Sequence, residues 1–157
     1  MKRILLISSL LVILLNSSTF AAQSMVTGGY DYSFGLKSSV FDIEYSSEIT
    51  DSSAWAVRIE DLPTGTGSSS HSTNGIGAGI SYRGYFNPTV LTGPYWALGI
   101  DAISLAIFTV DPKIELGYFY ISRKGITIGI RSYIGYAIAT GANTFDGGLG
   151  LKIGYGW

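Results

Sequence analysis

The sequence has no cysteine, a single histidine and only four prolines. Without cysteine there is no disulfide framework, no thiolate metal site and no N-terminal cysteine to carry a lipid anchor. Charged residues are scarce, 13% of the chain, and nearly balanced, with a formal net charge of −1. No basic run is present to meet nucleic acid, so that partner class is excluded. After Ala21 no stretch is apolar for long enough to make a membrane-spanning helix. The 21 glycines, set among many β-branched residues, argue against long helices of any kind.

What is present begins with a tripartite N-terminus. Basic Met1-Lys2-Arg3 precedes an apolar run from Ile4 to Leu15, and Thr19-Phe20-Ala21 supplies small residues at the positions a signal peptidase reads. That order predicts a secretory signal peptide over residues 1–21, cleaved after Ala21. The apolar run falls short of the roughly 20 residues a retained anchor needs. Residues 22–157 then form one domain.

Along that domain, apolar and small or polar residues alternate in segments separated by turn residues, the signature of half-buried strands. Tyr30, Tyr32 and Phe34 share one face, as do Phe41, Ile43 and Tyr45, then Trp55, Val57 and Ile59. The pattern continues through Ile76, Ala78, Ile80, Tyr82 and Phe86, then Trp96, Leu98 and Ile100. It returns in Ile114, Leu116, Tyr118 and Tyr120, and in Ile126, Ile128, Ile130, Ile134 and Tyr136. The last segment carries Leu149, Leu151, Ile153, Tyr155 and Trp157. Eight strands are therefore expected. From Ile103 to Val110 both faces are apolar, which leaves the fifth strand's register open there; a bulge near Ala102 would restore alternation. Loops are expected near 35–38, 61–74, 109–113 and 139–146, and tight turns near 47–53, 87–94 and 122–125.

Three features decide which face points outward. The apolar face carries no charge, whereas Asp31, Asp42, Glu44, Arg58, Glu60, Arg83, Asp101, Glu115, Arg131 and Lys152 fall on the other. The charged face is also rich in glycine. Exposed glycine only weakens a strand, but small residues beside large ones suit a narrow interior. If both termini lie on one side, Tyr45, Trp55, Phe86, Trp96, Tyr120 and Trp157 gather at one level, as an interfacial aromatic girdle does. Finally, the sequence closes on alternating apolar residues and an aromatic. A closed barrel pairs its last strand with its first and leaves no edge.

The stretches YRGYFN (82–87), GPYWALG (93–99), LGYFYISRKGITIGI (116–130) and LGLKIGYGW (149–157) resemble the small eight-stranded outer-membrane barrels of the OmpA/OmpX-like group, most closely its single-domain members. The resemblance implies an all-β fold, an eight-stranded antiparallel up-and-down transmembrane β-barrel in the outer membrane of a Gram-negative cell. It implies surroundings of outer-membrane lipid and lipopolysaccharide. It also implies periplasmic chaperones and the assembly machinery during biogenesis, with Leu149, Leu151, Ile153, Tyr155 and Trp157 as the recognition signal. It brings no cofactor, and a monomer is expected.

Chemistry is thin. Eight strands leave an interior that side chains fill, so the lumen charges are expected to pair into a network that fixes the barrel; a narrow ion path is the alternative. His71 sits in a Ser/Thr/Gly loop, where a solvated residue is expected, although lipid A-modifying barrels use a histidine beside a serine or acid. Asp42 and Glu44 share a face and suit either a hard cation or pairing with Arg58, Arg83 or Arg131; no metal site is assigned. GIGAGI (75–80) is strand alternation with no helix after it, so it is no phosphate loop. The expected function is structural or interactive, with loop 61–74 as the contact for a surface ligand.

Overall fold

The computed structural model describes residues 23–35, 38–62, 75–87, 91–104 and 108–157. They form eight strands: β1 (Ser24–Ser33), β2 (Ser38–Thr50), β3 (Ser53–Leu62), β4 (Gly75–Tyr85), β5 (Gly93–Ser104), β6 (Phe108–Ile121), β7 (Ile126–Ala139) and β8 (Ala142–Gly156). Every neighbouring pair is antiparallel, and β8 pairs with β1, so the sheet closes on itself. The signal-peptide expectation for residues 1–21 lies outside the described residues.

The rungs spiral. The rung that starts at Ser24 runs through Ser47, Trp55, Tyr82, Leu98, Ile114 and Ile134 to Gly147. The Gly147 carbonyl accepts from the amide of Phe34, ten residues further along β1 from the start. Such a stagger tilts the strands by roughly 40° and sets an interior that side chains can fill. We call the end holding the β2–β3, β4–β5 and β6–β7 connections the turn end, and the other the loop end.

Glycines make room for the largest inward side chains. Tyr95 faces Gly117 across the ladder, Phe119 faces Gly129, and Tyr133 faces Gly148. A Cβ at any of these glycines would strike the ring opposite. The interleaving of glycine with bulk along the inner face is thus a cross-strand fit. Gly125, with φ +83°, closes the β6–β7 hairpin and donates to the Ser122 carbonyl at 2.9 Å.

The fold departs from the sequence reading in four places. Strand β5 alternates without a bulge to Ser104: Asp101 and Ile103 point in, Ala102 and Ser104 out. The ladder irregularity lies instead between Glu48 and Thr50 on β2. The loop expected at 109–113 is strand, because Pro112 sits within β6 with its ring outward. Pairing with β7 lapses at Asp111 and Pro112 and resumes at Lys113 in the same register, since proline has no N–H to give. The loop expected at 139–146 shrinks to a turn at 140–141, where Gly141 has φ +88°. Asp61 and Leu62, expected in the loop, end β3.

Candidate functional site

The inner face divides into layers. At the turn end Met25, Ala54, Tyr85, Leu91, Tyr95, Ala97 and Phe119 form an apolar and aromatic plug. Leu91 reaches it from the β4–β5 connection and is fully buried, although its φ of 61° is one that leucine seldom adopts. Burial compensates for that backbone strain, which costs about 1–2 kcal/mol. The Tyr95 and Phe119 rings stack at 5.3 Å, and the Arg83 guanidinium lies 4.9 Å from the Tyr95 centroid. At the loop end a smaller cluster joins Val40, Leu62 and Ile103.

Between them runs a band of charge. All ten sequence-assigned lumen residues are buried on the inner face. Arg58 meets Glu60 at 3.1 Å and Asp101 at 2.9 Å, and also pairs with Glu115. Arg83 pairs with Glu44 at 2.6 Å and donates to the Ser46 hydroxyl at 3.0 Å. Arg131 grips Asp31, reaches Asp42 at 2.7 Å, and lies 3.7 Å from both Glu44 and Glu115. Lys152 pairs with Asp42. Asp42 and Glu44, considered for a hard cation, are therefore both engaged by bases. Because Glu44 and Glu115 each touch more than one arginine, the pairs merge into one network across the lumen. In a low-dielectric interior that mutual pairing is what makes the charges tolerable.

Two members were missed from the sequence. Lys113 pairs with Asp101, lies 3.4 Å from Asp111 and stands over the Tyr133 ring at 4.7 Å. Reading Asp111-Pro112 as a turn hid them; counting back in twos from Glu115 would have set both on the inner face. Asp146, at the loop-end mouth, accepts from Ser33 Oγ at 2.8 Å, Gly35 N at 3.1 Å and Tyr133 Oη at 3.3 Å. It ties the β1–β2 turn to β8. Below it Asp31, Glu60, Asp111, Lys113, Arg131 and Tyr133 line a cavity of about 20 Å³, room for one water.

The outer face is apolar. Phe86, Tyr120 and Trp157 are exposed at the turn end, and Trp96 packs on Tyr82 at 5.8 Å. Tyr45 shares this face yet is only 9% exposed: its ring lies 5.3 Å from Trp55 and its hydroxyl 3.1 Å from Ser24 Oγ. A second group of aromatics, not recognised as a group from the sequence, stands near the loop end: Tyr32, Phe34, Phe41, Phe108, Tyr136 and Phe145. Leu149, Leu151, Ile153, Tyr155 and Trp157 form one exposed row on β8. Residues 63–74 of the long loop, with His71, lie outside the described residues.

Among solved structures, this architecture is similar to Neisserial surface protein A (NspA), with a TM-score of 0.59 and 15% identity over 85% of this chain and 94% of that one. It is also similar to the N-terminal β-barrel domain of Pseudomonas aeruginosa OprF, with a TM-score of 0.66 and 13% identity over 86% and 97%. The fold is that of the small eight-stranded outer-membrane barrels. No protein-family model and no curated protein matches the sequence. At such low identity the likeness to these small barrels is one of backbone architecture, and their loops and inner faces carry no inference for this chain.

Proposed function

We propose that the chain is an integral outer-membrane barrel of a diderm bacterium, with both termini periplasmic and a role in membrane integrity or surface contact. The observation that carries this is the inverted distribution of polarity. Charges fill the interior, while an apolar ring bracketed by two groups of aromatics faces outward. A soluble barrel would expose that ring to water, where so large an apolar patch promotes aggregation. From Phe145 to Trp157 the apolar row on β8 spans roughly 30 Å along the membrane normal at a 40° tilt, enough to cross the apolar band of such barrels.

The aromatic plug and the paired band of charge support a closed lumen over a narrow pore. Binding through the loops suits this barrel better than catalysis: among the described residues, the cavity that the network lines at the loop end holds about 20 Å³, room for a water but not for a substrate. The outward row of β8 is the segment offered to the assembly machinery in this reading, and outer-membrane lipid and lipopolysaccharide surround the belt.

Gel mobility of the outer-membrane fraction in SDS, boiled against unboiled, tests the proposal. A closed sheet with its backbone paired internally resists SDS until heated, so two mobilities are expected. A single mobility, with the protein free in the periplasm, refutes it. Discrete conductance steps in planar bilayers, altered by Glu44→Ala, would instead favour the pore. A lipid A mass changed by expression and restored by His71→Ala would favour an enzyme.

A further inference from the structure

The apolar belt is not equally tall all round. On β6 every outward position from Phe108 to Tyr120 is apolar, and on β7 the run from Ile126 to Ile138 is interrupted only by Ser132. On β3 the run is only Trp55, Val57 and Ile59, between Ser53 towards the turn end and the exposed carboxylate of Asp61 towards the loop end. Asp61 is in register with Phe41 of β2 and Ile76 of β4, both exposed. Its charge therefore interrupts an apolar rung. With about 3.3 Å per residue, about 4.8 Å between strands and a tilt near 40°, Asp61 lies roughly 5–9 Å short of the levels reached by Phe145, Ile138 and Phe108. Ser39, outward and exposed on β2, holds the edge down beside it.

On β3 the turn-side edge is also drawn in, at Trp55 above Ser53, but the flanking strands carry the opposite edge past it. Ile49, Phe86, Tyr120, Ile126 and Trp157 are all exposed at the turn end. By the same geometry they end within about 4 Å of one level. Tilting the barrel would displace both edges together on a given side. A step in one edge alone requires the hydrocarbon itself to be shorter at that wall.

We propose that the barrel thins the loop-side leaflet along β2 and β3, around Asp61, and that lipids with shorter acyl chains collect there. The inference rests on the outer-membrane reading. A bilayer meets such a mismatch by local thinning, because deforming lipid costs less than burying a carboxylate in hydrocarbon.

The test refolds the mature chain and its Asp61→Leu variant into phosphatidylcholine vesicles graded from short to long monounsaturated acyl chains. The SDS-resistant fraction is followed through a urea titration. The wild type is expected to fold best in the thin bilayers. Asp61→Leu, which extends the belt, is expected to gain about tenfold in folding equilibrium between the thinnest and thickest vesicles relative to the wild type. Asp51→Leu, at the exposed β2–β3 turn on the other side, should leave the thickness profile unchanged. Parallel profiles for wild type and Asp61→Leu would overturn the inference while leaving the membrane reading intact. A thickness effect that disappears on diluting the protein in lipid would place a second copy on this wall and also overturn it. If no chain inserts into any vesicle, the membrane reading itself falls, and the inference with it.

Discussion

Arg131 is the residue on which the lumen network most depends. Its guanidinium holds Asp31 directly, with Nε donating to Asp31 Oδ1 at 2.9 Å, and reaches Asp42 at 2.7 Å. It also lies 3.7 Å from Glu44 and Glu115. Asp42 retains Lys152, Glu44 retains Arg83, and Glu115 retains Arg58. Asp31 has no other ion-pair partner among the described residues. Arg131→Met fills much of the same volume and leaves Asp31 buried and unpaired, which costs about 3–5 kcal/mol. At a urea dependence of about 2 kcal/mol per molar, the unfolding midpoint falls by roughly 2 M. Asp31→Asn in the same chain removes the stranded charge and is expected to recover about half of the loss, a coupling that a double-mutant cycle reads directly. The assay is reversible urea unfolding in lipid vesicles, followed by the fluorescence of Trp55, Trp96 and Trp157. A cost below about 1 kcal/mol for Arg131→Met, or strict additivity of the two substitutions, would refute the account of the lumen as a mutually dependent network.

Gly129→Ala sets a Cβ against the Phe119 ring and is expected to destabilise by about 1–3 kcal/mol, with most of the cost absent in a Phe119→Ala background; equal costs in both backgrounds would end the cross-strand fit as an explanation. Pro112→Ala restores an N–H facing β7. Hydrogen exchange should find a slowly exchanging amide at residue 112, while net stability moves by less than about 1 kcal/mol because the gained bond is offset by a freer unfolded chain. A fast-exchanging amide there would mean that the lapse in pairing has another cause. Leu91→Asn keeps a residue that tolerates the left-handed backbone but removes the apolar contact at the turn end, and should cost about 2 kcal/mol in the same urea assay. No loss would show that the plug does not need it.

The barrel was legible because one face of each strand is consistently apolar and a period of two admits no compromise: Tyr30, Tyr32 and Phe34 cannot share a face with Asp31 and Ser33. That rule failed where a second local signal contradicted it. Asp111-Pro112 carries turn chemistry, yet Pro112 fits an outward position whose missing N–H costs one ladder bond, and the strand continues through it. Ile103 looked misplaced because it is apolar on a polar face. It belongs to the cap with Val40 and Leu62, and no pattern local to β5 contains those two residues. The membership of the charge band was readable from parity, but its pairing was not. Which base meets which acid depends on the ten-residue stagger, which brings Arg131 to Asp31 across a hundred residues of sequence.

The glycines of the inner face have a consequence at the seam where the barrel closes. Gly29 lies opposite Lys152, and Asp31 opposite Gly150, so bulk and gap alternate in complementary order on the two strands. Sliding β8 by one residue would turn its apolar row inward. Sliding it by two would keep the faces but bring Asp31 opposite Lys152 or Gly148, and would set Gly29 against another glycine. Backbone hydrogen bonds alone accept any of these alignments. The side chains work like the pins of a lock, and only the one alignment lets the cylinder shut.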